Sequence, residues 1–227
     1  MKILKEIYDY RHMIYSLVKK DLRGRYKGSV LGFLWTFINP LLQLVVYTVV
    51  FSNILRAGID KYYLFLFVAL VPWIFLQASI VGGSSSILAH QDLVKKIYFP
   101  REVIPISYVS SCFVNMLFSF IIIFIVVAFS GVKLNILGIL CLPIIMFVVY
   151  ILALGLAIIA SAVTVYFRDL EHILGIVTMA WMYFTPIIYT IDMIPQNIRH
   201  IFNLNPMVPI IMAYRDVLYY GQVPRIS

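Results

Sequence analysis

Acidic and imidazole groups, the side chains that move protons and hold metals, are sparse along this chain. Beyond the first 27 residues, those that fall between apolar runs on a single side are His90, Asp92, Glu102, Asp169, Glu171 and His172. A general acid–base pair must reach one substrate bond together, and a metal centre needs several ligands converging. These residues are scattered singly over two short segments, so solvated loop charges account for them better than a catalytic centre. No G-x-x-x-x-G-K-[ST] phosphate loop occurs, so the chain is not expected to hydrolyse nucleotide by itself. No catalytic residue, metal site or resident cofactor is expected on it.

The cations are arranged differently. Lys2, Lys5, Arg11, Lys19, Lys20, Arg23, Arg25 and Lys27 all precede the first long apolar run. Arg23, Arg25 and Lys27 fall where this head meets the run, near the height of lipid phosphates. A surface cation there contributes about 1 kcal/mol of attraction to anionic lipid. Contact with a substrate headgroup and plain membrane anchoring both stand open for these three. The net charge of +8 invites a nucleic-acid reading. The excess, however, sits at the head and in the following inner loops, as the positive-inside rule requires of a membrane protein. Nucleic acid is not an expected partner.

Apolar helices must position these groups. Hydrophobic residues make up 63% and charged residues 12% of the chain, about half the charged share of a soluble domain. A charge in hydrocarbon costs several kcal/mol, so charge-free runs of about 20 residues read as membrane spans. Such runs cover roughly 30–51, 63–88, 103–130, 134–167 and 173–191. The expected fold is all-α integral membrane, in one membrane domain. An amphipathic interfacial helix fills 1–27, five spans lie within 28–190, and 191–227 form extracellular or re-entrant short helices. Pro206, Pro209, Arg215 and Asp216 break that last segment. The 134–167 run exceeds one crossing and should project or tilt.

The head alternates at helical spacing. Ile7, Tyr10, Ile14, Leu17 and Val18 share one face, with Asp9, His12, Ser16, Lys19, Lys20 and Arg23 opposite. Such a helix lies in the headgroup layer or packs on a partner protein. Within the spans, Asn39-Pro40 and Thr185-Pro186 predict bends. Gly82 to Ser86, Gly155 and Ala160 to Ala162 predict close helix packing. Cys112 and Cys141 sit in apolar runs and read as small buried hydrophobes. Twelve Lys and Arg then fall inside and six outside if the N-terminus is cytoplasmic, which favours that orientation.

No Asp or Glu falls within the five spans, whereas ion-coupled carriers generally use one. Energy for transport would have to arrive from elsewhere. The segment Asp92 to Phe99, holding Leu93, Val94, Lys95 and Lys96, is the right size for a short helix seated in a groove of a soluble partner; an ordinary loop is the alternative. Arg168-Asp169-Leu170 offers a second, weaker contact. Tyr47, Trp181, Tyr183 and Phe184 belong to a series of aromatic residues that suits the C–H faces of sugars, or else forms an interfacial belt. In a continuous helix Trp181 and Phe184 share a face that Tyr183 does not, which selects the first two.

Several stretches in order carry a family resemblance: GSVLGFLWTFINPLL (Gly28 to Leu42), LVKKIYFPREVIPIS (Leu93 to Ser107), YFRDLEHI (Tyr166 to Ile173), YFTPIIYTIDMIP (Tyr183 to Pro195) and NLNPMVPII (Asn203 to Ile211). The chain resembles the membrane permease subunits of ABC-type-2 exporters of O-antigen, capsule or teichoic acid. That resemblance implies a homodimer in the bacterial cytoplasmic membrane, working with two copies of a separate ATPase that binds ATP and Mg. The implied substrate is a glycan or polyol phosphate on undecaprenyl pyrophosphate, with Arg23, Arg25 or Lys27 at its pyrophosphate. Tyr47, Trp181 and Phe184 would line the path, and Asp92 to Lys96 with Arg168 and Asp169 would meet the ATPase. A sixth span beyond Ser227 is also implied. An ABC exporter of small hydrophobic molecules, or a membrane enzyme acting on lipid-linked glycans, are the alternatives.

Overall fold

A computed structural model describes residues 2–26, 31–50, 58–197 and 199–224. The helices in order are α1 (Lys2–Asp9), α2 (Arg11–Tyr26), α3 (Trp35–Thr48), α4 (Tyr62–Ala89), α5 (Gln91–Lys96), α6 (Val103–Ser130), α7 (Ile136–Tyr166), α8 (Leu170–Tyr183), α9 (Arg199–Asn203) and α10 (Met207–Leu218). Among the described residues there is no strand.

Helices α4, α6 and α7 have 28, 28 and 31 residues and are apolar enough to cross a membrane. At 1.5 Å per residue they run about 42 to 46 Å, longer than the ~30 Å hydrocarbon core. Their surfaces differ. Every residue from Leu64 to Val71 of α4 is buried, the mark of a helix enclosed on all sides. Helix α7 instead exposes Leu140, Ile144, Phe147, Val148 and Ile151 and buries Leu142, Ile145, Val149, Ala153 and Ala157. Both stripes follow the helical repeat. An exposed apolar stripe opposite a buried, partly small-residue stripe is what hydrocarbon on one side and protein on the other require.

The other two expected spans hold shorter helices. Helix α3 has 14 residues, and residues 51–57 lie outside the described ones. Helix α8 also has 14 residues and stops at Tyr183, eight short of the expected end. Thr185-Pro186 explains the stop. Proline disfavours helical backbone at the residue before it and has no N–H to donate. The last turn tightens instead, with the amides of Phe184 and Thr185 donating to the carbonyls of Trp181 and Met182.

The chain divides into two compact units. Unit 1 comprises residues 1–35, 75–115 and 150–177; unit 2 comprises 36–74, 116–149 and 178–227. In unit 1, α4 and α7 touch where a Cβ on Gly83 would come 2.9 Å from the Cβ of Ala157. Tyr108 of α6 sits against Gly82. Close packing at Gly82–Gly83 is thus real. Gly155 does not share it: an added Cβ there meets nothing within 4 Å. The helix repeat turns Gly155 outward and leaves Ala153 and Ala157 to pack. Ala160 and Ser161 are buried, while Ala162 is exposed.

In unit 2 the segment after Pro195, expected as extracellular or re-entrant short helices, forms α9 and α10. Helix α10 is well packed, with Met207, Val208, Ile210, Ile211 and Tyr214 to Leu218 all buried. The ring of Tyr214 lies 5.5 Å from that of Phe120. Gly221 follows in the left-handed region, φ 66°, with its backbone against the carbonyl of Lys133. A side chain there would strike that carbonyl, so glycine is required on both counts.

Candidate functional site

The short helix expected between the second and third spans exists as α5, Gln91–Lys96. The His90 carbonyl accepts from the amides of Leu93 and Val94, and the helix ends where Ile97 turns extended. Asp92 in the first turn and Lys95 and Lys96 in the last complement the helix dipole. Leu93 and Val94 do not face outward. Both are half-buried against a core of Phe99, Val103 and Ile104. The outward groups are Asp92, Lys95 and Lys96, followed by Ile97 at 55% and Tyr98 at 87% exposure. Both of these last two lie within the expected Asp92 to Phe99 segment, beyond the end of its helix.

Tyr10, Met13, Ile14 and Leu17 of the N-terminal segment pack on the same core. The segment is two helices with a break at Tyr10, rather than one. The expected faces hold. Ile7, Tyr10, Ile14, Leu17 and Val18 are half-buried, while Asp9, His12, Ser16, Lys19, Lys20 and Arg23 are exposed. The apolar face meets the chain's own core, and the Tyr10 hydroxyl donates to the Tyr98 carbonyl at 3.3 Å. Asp21 breaks the basic pattern: its carboxylate accepts a short hydrogen bond from Ser111 of α6. Arg23 is exposed on α2, Arg25 lies in the last turn of that helix, and Lys27 lies outside the described residues.

Beside α5 across a shared cleft, Arg168 lies with Asp169 in the exposed turn between α7 and α8. The Asp169 carbonyl accepts from the amides of His172 and Ile173, starting α8. Glu171 is not simply solvated. It is half-buried and accepts from the Ser85 hydroxyl at 3.1 Å, joining α8 to the small-residue run of α4. Among the described residues no group of three or more His, Cys, Asp or Glu is placed to hold a metal ion.

In unit 2 the aromatic residues take different roles. Trp181 is half-buried, edge-on to Trp73 at 5.7 Å, and its Nε1 donates to Asn205 Oδ1 at 2.9 Å. Phe184 and Tyr183 are both 57% exposed. Because α8 ends at Tyr183, the spacing that separated these two does not apply to them. Tyr47 is half-buried on α3. Asn205 uses its whole amide: Nδ2 donates to the Phe184 carbonyl and Thr185 Oγ1, each at 2.9 Å, while Oδ1 also accepts from the Met207 amide at 3.0 Å. It ties the end of α8 to the start of α10.

By its place in the sequence Arg215 falls among the six outer-side cations. It is buried, 1% exposed, with its guanidinium 3.5 Å from the centre of the Phe65 ring. Its Nη2 donates to the Ile187 carbonyl at 2.7 Å. Ring face and carbonyl take the place of water around this cation. Tyr62 donates to the Ile188 carbonyl at 3.0 Å and Tyr219 to the Asp60 carbonyl at 2.6 Å. Arg215 and Tyr62 thus hold the irregular stretch after α8 through its backbone at Ile187 and Ile188.

The family description ABC-2 type transporter matches residues 12–219. The chain is 34% identical over 226 residues, 99% of its length and 86% of the relative's, to the O-antigen export system permease protein RfbA of Myxococcus xanthus. A Klebsiella pneumoniae protein of the same name is 34% identical over 215 residues, 92% of this chain and 81% of the relative. The capsule polysaccharide export inner-membrane protein CtrC of Neisseria meningitidis is 22% identical over 214 residues, 90% of this chain and 78% of the relative. With three helices long and apolar enough to cross a bilayer and a family match over most of its length, the chain belongs to the ABC-2 type transporter family of membrane proteins.

Proposed function

We propose that this chain is the permease subunit of an ATP-driven exporter that carries a cell-surface polysaccharide across the bacterial cytoplasmic membrane. The observation that carries the reading is the 34% identity to an O-antigen export permease along 99% of the chain. The physical features agree. The long helices hold no carboxylate for ion coupling, and a short helix, α5, stands between two of them with its polar groups and Tyr98 exposed. In this reading two copies of the chain work with two copies of a cytoplasmic ATPase, on which ATP and Mg bind. The N-terminus lies in the cytoplasm.

The ATPase meets Asp92, Lys95, Lys96, Ile97 and Tyr98, with Arg168 and Asp169 as a second contact. Leu93 and Val94 brace this surface from beneath. The glycan travels on undecaprenyl pyrophosphate, whose phosphates are first met by Arg23, Arg25 and Lys27. Phe184 and Tyr183 offer exposed ring faces to a passing sugar chain, with Tyr47 on α3. Trp181 has a supporting role, since its indole is committed to Asn205 and Trp73.

Affinity purification from native membranes tests the reading. The chain should bring down an ATPase, and mass spectrometry of the retained lipid should find an undecaprenyl-linked glycan. Recovery of the chain without any ATPase, under conditions that preserve other membrane complexes, would refute it.

A further inference from the structure

In unit 1, α5, the end of α4, the start of α6 and the end of α7 enclose a cleft of about 520 Å³. Its wall is mostly apolar, with Ile87 of α4 and Ile158 and Val165 of α7, and includes Gln91 and Ser161. Lys95, Arg101 and Arg168 stand at its rim with one carboxylate, Glu102. All four are exposed, and among the described residues none of the three cations has an ion-pair or hydrogen-bonding partner. The rim therefore carries excess positive charge over an apolar interior.

The interior continues along α7. Ile151, Gly155, Ile158, Ala162 and Val165 follow one another at helical spacing and share one face. Ile151, Gly155 and Ala162 on this face are exposed, and the position of a Gly155 Cβ is open space. From Ile151 to Val165 the stripe runs about 21 Å, somewhat more than the ~15 Å depth of one hydrocarbon leaflet. The small residues Gly155 and Ala162 make it a shallow trough between larger neighbours.

An occupant suited to both parts has one negative headgroup and a flexible hydrocarbon chain. We propose that this cleft binds an anionic glycerophospholipid, its phosphodiester held by Lys95, Arg101 and Arg168 and one acyl chain lying along Ile158, Ala162 and Gly155. Because α5 supplies Lys95 and Val94 to the cleft, the bound lipid braces the segment read above as the ATPase contact. The inference rests on the membrane location of the family and not on which substrate is exported.

The test titrates the full chain, extracted in mild detergent from a host lacking the glycan pathway, with phosphatidylglycerol or phosphatidylcholine. Bound lipid is counted by native mass spectrometry. Phosphatidylglycerol should bind at least about tenfold more tightly than phosphatidylcholine, as expected for two or more cations each contributing about 1 kcal/mol. Arg101→Gln should weaken binding about fivefold, the equivalent of one such cation, and Arg101→Lys should restore it. Ala162→Trp should fill the trough and abolish binding while leaving the rim intact. Equal binding of both lipids, or unchanged binding by Arg101→Gln and Ala162→Trp, would overturn the proposal. So would a photo-cross-linker at position 162 that captures the ATPase and no lipid in the assembled complex.

Discussion

Replacing Asn205 by alanine removes four hydrogen bonds at once, to Trp181, Phe184, Thr185 and Met207. Each is worth about 1 kcal/mol net, an upper sum of about 4 kcal/mol. Asn205 is half-buried, so water recovers part of this and a loss of about 2–3 kcal/mol remains. For a chain of this size that lowers Tm by roughly 5–10 °C. The assay is thermal denaturation in detergent, followed by the fraction that stays monodisperse on size exclusion. Asn205→Asp keeps the acceptors but sets a carboxylate oxygen against the Phe184 carbonyl and Thr185 Oγ1, so it should cost at least as much. In a Trp181→Phe background the Asn205→Ala penalty should shrink by about 1 kcal/mol, because one shared bond is already gone. A melting temperature for Asn205→Ala within about 1 °C of the parent would refute the role given to this residue.

Two further contrasts follow from the packing. Gly83→Ala forces a methyl to within 2.9 Å of the Ala157 Cβ and should destabilise by about 1–3 kcal/mol. Gly155→Ala meets open space and should be neutral or stabilise by up to about 1 kcal/mol through helix propensity; the same melting assay compares the pair. On α5, Leu93→Asp buries a charge against Phe99 and Ile104 and should reduce folded yield, whereas Tyr98→Asp should leave yield intact and weaken ATPase co-purification. Reversal of that pattern would mean that the docking face is the other one.

The three long helices were legible because hydrocarbon tolerates no charge, so the gaps between charged residues delimit them. Charges at Glu102 and Lys133 bracket α6, which coincides with the expected 103–130 run. The amphipathic head was legible for a related reason, since its period of 3.6 is local. Less legible was what its apolar face meets: periodicity shows that Ile14 and Leu17 need cover, and only the fold shows that Phe99 and Ile104 supply it. The end of α8 was not legible because a proline in an apolar run can sit within a helix, as Pro40, Pro72 and Pro143 do, or follow its end, as Pro186 does. Arg215 and Asn205 escaped for other reasons. Arg215 has a partner 150 residues away in sequence, and a charge count treats every arginine as solvated. The Asn205 partners are 2 to 24 residues away but come together only because α8 stops at Tyr183. Tyr98 lay within the expected Asp92 to Phe99 segment, but its exposure was not legible because a residue outside a helix carries no periodic signal.

The most direct test of the export reading is transport itself. Proteoliposomes holding the permease with its co-purified ATPase are loaded with a lipid-linked glycan on one leaflet, and a membrane-impermeant glycosidase reports its appearance on the other. The predicted result is movement that requires ATP, requires this chain, and falls when Tyr98 is replaced by Asp. Movement of the glycan without ATP, or ATP-dependent movement of small hydrophobic compounds but never of the glycan, would contradict it.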